Sequence, residues 1–340
     1  MNLPNFLKKL LLFLISLFVG IGLFIWIGKT VGWQEIKNAF LVFTGWQGIV
    51  ILSLTSLTML IGTWRWKEIL KGVGAKISFR DLWRVYLPSF SIRYLAPTFI
   101  LGAEIFQSYI LKKRNSVPWS KGMASVIIDR IMEWTANLVV IFFGVLFFLS
   151  IAGIPPKNLA IIFGGIFLLF FFGIFFFYFK TFKKESIAKA FGKIFNQNLD
   201  SQPLEVEKEI FNFFKPKKKA MWKGFSLSFL RAGVMYFRAW LLIFFLGRNI
   251  GTLSTLSILG FTYLAVMIPI PTALGTHEAI QTFAFNSLGL GIGTATAFTM
   301  IIRGAELIIA LVGLIILFRL GAGLVKRTLI KDKYFNNNAI

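Results

Sequence analysis

The chain has no cysteine and a single histidine, His277. The first absence excludes a disulfide framework, a thiolate metal site and a cysteine nucleophile. The second leaves no pair of imidazoles to hold a metal, and no metal or cofactor is expected. No HExxH, GxSxG or phosphate-loop pattern occurs. Acidic residues are also scarce, 14 against 37 Lys and Arg, and charged residues make up only 15% of the 340 positions. Apolar residues fill the space instead: 56% of the chain is hydrophobic, with 40 Phe, and they arrive in long runs. A soluble core of this size cannot hide so much apolar surface, which excludes a disordered chain, a secreted disulfide scaffold and an ordinary soluble enzyme. In a soluble protein a net charge of +23 would point to nucleic acid. In a polytopic membrane protein it is an orientation signal, and no nucleic-acid partner is expected.

The composition predicts an all-α membrane protein in a single integral domain over 1–340. A first span is expected at 10–28; its apolar run is too long for a signal-peptide core and no small-residue cleavage site follows, so it is expected to stay. Further runs of spanning length lie at 41–62, 122–149, 159–179, 225–246 and 294–318. Two stretches, 85–111 and 252–290, carry prolines in mid-run: Pro88 and Pro97 in one, Pro269 and Pro271 in the other. Proline removes a helix donor and restricts the residue before it, so each stretch reads as two helical pieces joined by a broken middle.

Charge sets the expected topology. Lys and Arg number six in 64–84, four in 112–121 and eleven in 180–223, with seven more at the two ends. These 28 share one side only if each broken stretch enters and leaves by the same face; the other side then carries Lys29, Lys37, Lys157 and Arg248. The positive-inside rule therefore predicts six full crossings plus two re-entrant hairpins, with both termini in the cytoplasm. The basic segment 180–223 is expected to be a solvated amphipathic loop or a contact for anionic headgroups, and 320–340 a cytoplasmic tail. Tryptophans 26, 33, 46, 64, 66, 83 and 119 are expected to anchor at the membrane interfaces.

Self-comparison gives a repeat. Leu101 and Leu274, Gly102 and Gly275, Arg130 and Arg303, and Glu133 and Glu306 all stand at one common sequence offset, as do Trp64-Arg65 and Phe237-Arg238. Each copy reads as a helix bearing Arg, a broken hairpin with P-T…L-G…E, and a helix with R-x-x-E. The first copy occupies 41–150 and the second 224–319, joined by a span at 159–179. An odd number of crossings between them makes the repeats inverted, an arrangement that places a substrate site near the bilayer midplane.

Ionisable groups lie inside the apolar stretches: Glu104, Asp129, Glu133, Glu278 and Glu306, with Arg93, Arg130, Arg231, Arg238 and Arg303. Each costs on the order of 3 kcal/mol at the bilayer centre, so they must pair or line a hydrated cavity. A structural reading pairs Arg130 with Glu133 and Arg303 with Glu306 at i, i+3, or braces one repeat against the other. A functional reading has Arg65, Arg130, Arg238 and Arg303 receive a phosphate, with Glu104, Glu133, Glu278 and Glu306 orienting them or meeting an amine. Asp129 and His277 join the candidate cavity, His277 as a partner of Glu278 or of freed backbone, or as a proton-linked switch. Pro97, Gly102, Pro269, Pro271 and Gly275 are the candidate hinges. Arg93 and Arg231 are read as snorkelling to an interface and left out of the site.

Taken together, W-R-W at 64–66, P-T-x-x-L-G-x-E at 97–104, I-I-D-R-x-x-E at 127–133, P-I-P-T-x-L-G-x-x-E at 269–278 and R-x-x-E at 303–306 resemble the lysylphosphatidylglycerol synthase transmembrane (flippase-like) family. Typical members carry a glycine-rich P-G-x-x-G-G-D turn in the first hairpin; here fewer glycines and Glu104 occupy that place. The resemblance implies a domain similar to the lipid flippase of the multiple peptide resistance factors. Only a short tail, 320–340, follows the last expected span, so the synthase domain is not expected and neither is acyl transfer by this chain alone.

Three functions follow as expectations. The first is translocation of a phosphate-bearing lipid headgroup, anionic or lipid-linked, between leaflets of a prokaryotic cytoplasmic membrane. The second is a membrane subunit of a lipid-modifying system with a separate synthase or glycosyltransferase. The third is ion-coupled transport of a small molecule.

Overall fold

The computed structural model describes residues 45–95, 102–187, 189, 201–215, 217–267 and 276–337, with the side chains of Thr276 and of residues beyond 320 excepted. The described residues form ten helices and no strand. They are α1 (Trp46–Gly72), α2 (Phe79–Leu95), α3 (Gly102–Asn115), α4 (Trp119–Ala152), α5 (Lys157–Lys183), α6 (Ser201–Phe213), α7 (Lys219–Phe245), α8 (Thr252–Met267), α9 (Thr276–Ser287) and α10 (Ile292–Asn337). The all-helical expectation thus holds, as it must where no water is available to satisfy backbone groups.

Five of these helices are long and apolar enough to cross a membrane: α1, α4, α5, α7 and the portion of α10 over Ile292–Leu320. They coincide with five of the six expected spans; the sixth, at 10–28, lies outside the described residues. Local chemistry sets their ends. Pro118 and Pro156 stand at the N-caps of α4 and α5, where a missing N–H costs nothing. Gly153 ends α4 in the left-handed region at φ 80°.

The two proline-bearing stretches each contain two helices, α2 with α3 and α8 with α9, of 17, 14, 16 and 12 residues. At 1.5 Å per residue these are about 18–26 Å long, short of a hydrocarbon core of about 30 Å. The residues between each pair, with Pro97, Pro269, Pro271 and Gly275, lie outside the described residues. Pro88 is not a break: it sits buried inside α2, which runs on to Leu95.

The helices meet in a definite pattern. α1 lies along α7, α4 along α8, and α2 along α10. α3 packs on α4 and α9 on α10, while α2 touches α3 and α8 touches α9. Two crossings are tight. A Cβ on Gly144 of α4 would stand 2.7 Å from the Leu256 carbonyl oxygen and 3.0 Å from the Gly260 Cα of α8. A Cβ on Gly313 of α10 would stand 2.5 Å from the Leu87 carbonyl oxygen of α2. Small residues let membrane helices approach this closely where no hydrophobic driving force is available. Beside the second crossing, the Ser91 hydroxyl of α2 donates to the Ala310 carbonyl of α10 at 2.6 Å.

α5 stands apart in character. Its phenylalanines are largely exposed, with Phe167, Phe171, Phe175 and Phe179 stacked along one face at centroid spacings of 6.0–6.4 Å. Such a surface belongs against lipid tails. A hydrogen bond of 3.0 Å between the Tyr178 and Thr135 hydroxyls ties it to α4.

Two expectations need correction. The basic loop 180–223 is not solvated throughout: α6 buries Val206, Ile210 and Phe213, spaced i, i+4, i+7, and packs on α4. Trp66 is not an interfacial anchor. It is 0% exposed, and its indole N–H donates to the Ser125 hydroxyl at 3.1 Å. Its neighbour Trp64 is exposed.

Candidate functional site

The buried charges gather where α1, α4 and α7 meet. Arg65 projects from α1 and is 1% exposed. Its Nε donates to Asp129 Oδ1 at 2.7 Å and its Nη2 to Asp129 Oδ2 at 3.0 Å, a bidentate fork on α4. The same Nη2 reaches Glu133 Oε2 at 3.3 Å, one turn further along α4. Nη1 crosses to α7 and donates to the Ser228 hydroxyl at 3.3 Å. Arg65, counted with the cations of 64–84 and also expected among the cavity arginines, lies in the interior network.

Glu133 is the hub of this first cluster. It accepts from Arg130 Nη1 at 2.7 Å, the expected i, i+3 pair, and from Arg231 Nη1 of α7. Glu104, in the first turn of α3, lies 3.6 Å from Arg130 Nε and accepts from Arg93 Nη1 of α2 at 3.3 Å. Arg93 and Arg231 are therefore network members rather than interfacial snorkels. A sequence signal for Arg231 existed: Ser228, Arg231 and Arg238 fall at i, i+3 and i+10, which places them on neighbouring parts of one face of α7. Arg93 carried no such signal, because its partner lies across the undescribed segment 96–101.

A second, smaller cluster forms between α7, α9 and α10. Arg238 is 2% exposed; its Nη1 donates to the Thr55 hydroxyl of α1 at 3.0 Å and its Nη2 to Glu306 Oε1 at 3.4 Å. Arg303 donates Nη1 to Glu278, in the first turn of α9, rather than to Glu306 at i+3. The Tyr94 hydroxyl of α2 caps this cluster by donating to the Arg303 carbonyl at 2.9 Å. His277 is half-buried beside Glu278 at the start of α9. Gly102 is the first residue of α3.

Several polar atoms in these clusters are buried with no hydrogen-bond partner among the described residues: Arg130 Nε and Nη2, Arg231 Nε, Arg238 Nε and Glu104 Oε2. Such orphans are rare in folded proteins because each forfeits its hydration. The described residues contain no group of three or more His, Asp or Glu able to hold a metal ion.

Over residues 13–313 the chain matches the family described as the lysylphosphatidylglycerol synthase TM region. It is 24% identical over 270 residues to a UPF0104 membrane protein of Methanocaldococcus jannaschii, covering 75% of this chain and 79% of that one. It is also 24% identical over 316 residues to a UPF0104 membrane protein of Pyrococcus horikoshii, covering 87% and 92%. No solved structure matches it. With five helices fit to cross a membrane and a match along most of its length, the chain is a multi-pass membrane protein and belongs to the lysylphosphatidylglycerol synthase TM region family.

Proposed function

We propose that the protein is a lipid translocase of the flippase type, carrying a phosphate-bearing headgroup between leaflets through the contact zone of two inverted-topology halves. The halves are 41–150 and 224–319, each with a re-entrant hairpin, and the acyl chains stay in lipid. Both termini face the cytoplasm, the side that collects the 27 loop and terminal cations left in the positive-inside count once Arg65 is placed in the interior.

One observation carries this reading. Arg65 and Arg238 occupy equivalent places in the two sequence repeats, and each makes the same two bonds. Each donates Nη2 to the glutamate of its own half, Glu133 or Glu306, at 3.3 and 3.4 Å. Each donates Nη1 to a hydroxyl on the other half, Ser228 or Thr55, at 3.3 and 3.0 Å. Those two hydroxyl partners are themselves separated by the repeat offset. The helix contacts exchange in the same way: swapping α1–α4 with α7–α10 turns α4 on α8 into α10 on α2, and α3 on α4 into α9 on α10. Two pseudo-equivalent halves that meet through charged side chains are the layout expected of alternating access at a midplane site.

The chemistry fits an anionic headgroup. Arg130 keeps two buried N–H groups and Arg238 one without an acceptor, and guanidinium is the side chain best shaped for phosphate. Glu104 and Glu278 hold Arg93, Arg130 and Arg303 in position and suit an amine on the headgroup. The lipid is an anionic phospholipid or a lipid-linked headgroup, aminoacylated or glycosylated, in a prokaryotic cytoplasmic membrane; the two relatives above are archaeal. The test is leaflet exchange of labelled phospholipids in vesicles containing the purified protein. Faster exchange than in protein-free vesicles, reduced by Arg130→Ala and by Arg303→Ala, is expected. Equal exchange by wild type, both variants and empty vesicles for every candidate lipid would overturn the reading.

A further inference from the structure

α5 is fastened to the bundle towards both of its ends. On one side the Phe163 ring lies against Phe261 of α8 and Phe283 of α9, at centroid distances of 5.6 and 5.9 Å. On the other, the Tyr178–Thr135 hydroxyl bond is joined by the rings of Phe177 and Tyr178 against Phe214, at 5.8 and 5.4 Å. Between these fastenings a groove of about 420 Å³ runs between α4 and α5. Ile131 and Trp134 of α4 and Phe170, Gly173 and Phe177 of α5 line it, and Ile187, just past α5, completes the wall. Every lining residue is apolar or aromatic. Gly173 keeps the space open, since an added Cβ there would meet nothing within 4 Å. Ile187 is fixed by Glu207, which is buried on α6 and accepts from the Ser186 hydroxyl and from the Ile187 N–H, the latter at 2.5 Å.

An apolar void of this size, left empty, forfeits the packing of every side chain around it, and water gains nothing there. Its volume falls in the range of about 300–1,000 Å³ typical of ligand sites. Trp134, Leu169 and Phe176 line it and are exposed, so its mouth opens onto the lipid tails around α5. The stretch of α5 that lines it, Leu169 to Phe177, is about 12 Å long. One leaflet supplies about 15 Å of hydrocarbon, so the groove accommodates most of an acyl chain's depth. Beyond it α5 presents Lys180 and Lys183, at i+4 and i+7 from Phe176 and hence on the same side of the helix. Their ammonium groups stand 5.7 and 4.3 Å from the ring centroids of Phe176 and Phe179, and Lys180 also meets Glu185 at 2.5 Å. Counting every residue, 180–200 holds five lysines against two acids, Glu185 and Asp200, a surplus that attracts anionic headgroups. We propose that the groove binds one anionic phospholipid of the cytoplasmic leaflet, with an acyl chain along Gly173 and the phosphate at Lys180 and Lys183. This lipid is resident rather than cargo: it lies against α5, which belongs to neither half, and only its leaflet rests on the topology proposed above.

The experiment places the photoreactive residue benzoylphenylalanine in the full-length protein in its membrane, at Leu169 in the groove or at Phe172, which is exposed on α5 outside it. After irradiation, the mass of each adduct identifies what lay against that position, and no transport is measured. Leu169→benzoylphenylalanine is expected to yield phospholipid adducts several-fold richer in anionic headgroups than Phe172→benzoylphenylalanine, which samples the bulk lipid. Adding Gly173→Phe, which fills the groove, should erase that enrichment. Adding Lys180→Gln with Lys183→Gln should erase it while leaving the lipid adduct in place. The same lipid mixture at both positions would mean unselective packing of tails around α5. A link from position 169 to residues 188–200 or to a second copy of the chain would mean that protein fills the groove. Enrichment that survives the added substitutions would mean that neither the groove nor the two lysines select the lipid. Each of these three results would overturn the proposal.

Discussion

Arg65 and Asp129 meet as a two-pronged fork, Nε on Oδ1 at 2.7 Å and Nη2 on Oδ2 at 3.0 Å, with both side chains almost wholly buried. No equivalent exists in the other half: the repeat counterpart of Asp129 is Ile302, and Arg238 Nε has no partner among the described residues. The half built on α1 and α4 is therefore clamped where the half built on α7 and α10 is held by single bonds. If the two halves move against each other, the looser grip is on Arg238.

The clamp sets a first prediction. Asp129→Asn leaves Arg65 charged and poorly compensated, which costs about 3–5 kcal/mol when one partner of a buried pair is removed. The contact with Glu133 moves the loss toward the lower end. Removing both partners, as Arg65→Met with Asp129→Leu, takes out the charges together and is expected to cost less than Asp129→Asn alone. A double-mutant cycle on thermal unfolding in detergent checks this, and a double variant less stable than both singles would contradict it.

The second concerns the crossing of α4 and α8. Gly144→Ala must push a methyl against the Leu256 carbonyl and the Gly260 backbone, which cannot swing aside as a side chain would. A loss of about 1–3 kcal/mol is expected from such overpacking. Gly164→Ala on α5 is the control, since nothing lies within 4 Å of the added Cβ. Unfolding midpoints should fall for the first and stay level for the second.

The third tests α6. Phe213 is fully buried and packs beside Gly72 and Ala220, so Phe213→Ala should destabilise by about 3–5 kcal/mol. Lys208→Ala, on the exposed face of the same helix, should change stability by less than about 0.5 kcal/mol. Protease sensitivity of 180–223 would follow the same order. A freely solvated loop would be indifferent to both.

The long spans were legible because uninterrupted apolar runs have one reading in a membrane. α4 and α5 contain the runs that hydropathy picks out, and α7 all of its run but the last residue, Leu246, each extended by a turn or so where Lys, Trp or Ser continues the helix past the hydrocarbon. The network was legible in part: an Arg or Glu in such a run needs a partner, and the repeat offset identified Arg65, Arg130, Arg238, Arg303, Glu133 and Glu306. Which partner each takes was not legible. Arg303 has Glu306 at i+3 yet turns to Glu278, because α9 brings that carboxylate alongside α10 and Glu306 is taken by Arg238. Trp66 and α6 were misread for a related reason. An indole and an amphipathic turn suit an interface and a protein core equally well, and only the neighbouring helices decide between them.

The last prediction follows from the two hydroxyls that cross between the halves. Ser228→Ala removes one of several bonds to Arg65, which keeps Asp129 and Glu133, so the loss should be small, about 0.5–1 kcal/mol. Thr55→Val removes the shorter of the two side-chain bonds described for Arg238, leaving only the 3.4 Å contact with Glu306 beside an Nε already lacking an acceptor. A buried guanidinium so exposed to a bond deficit should lose about 1.5–3 kcal/mol, the range for hydrogen bonds to charged groups. Thr55→Val is therefore expected to lower the unfolding midpoint clearly more than Ser228→Ala, although the two positions are counterparts. Thr55→Ser, which keeps the hydroxyl, should recover most of the difference. Equal losses at the two positions would mean that the halves are held alike and that the missing counterpart of Asp129 has no mechanical consequence.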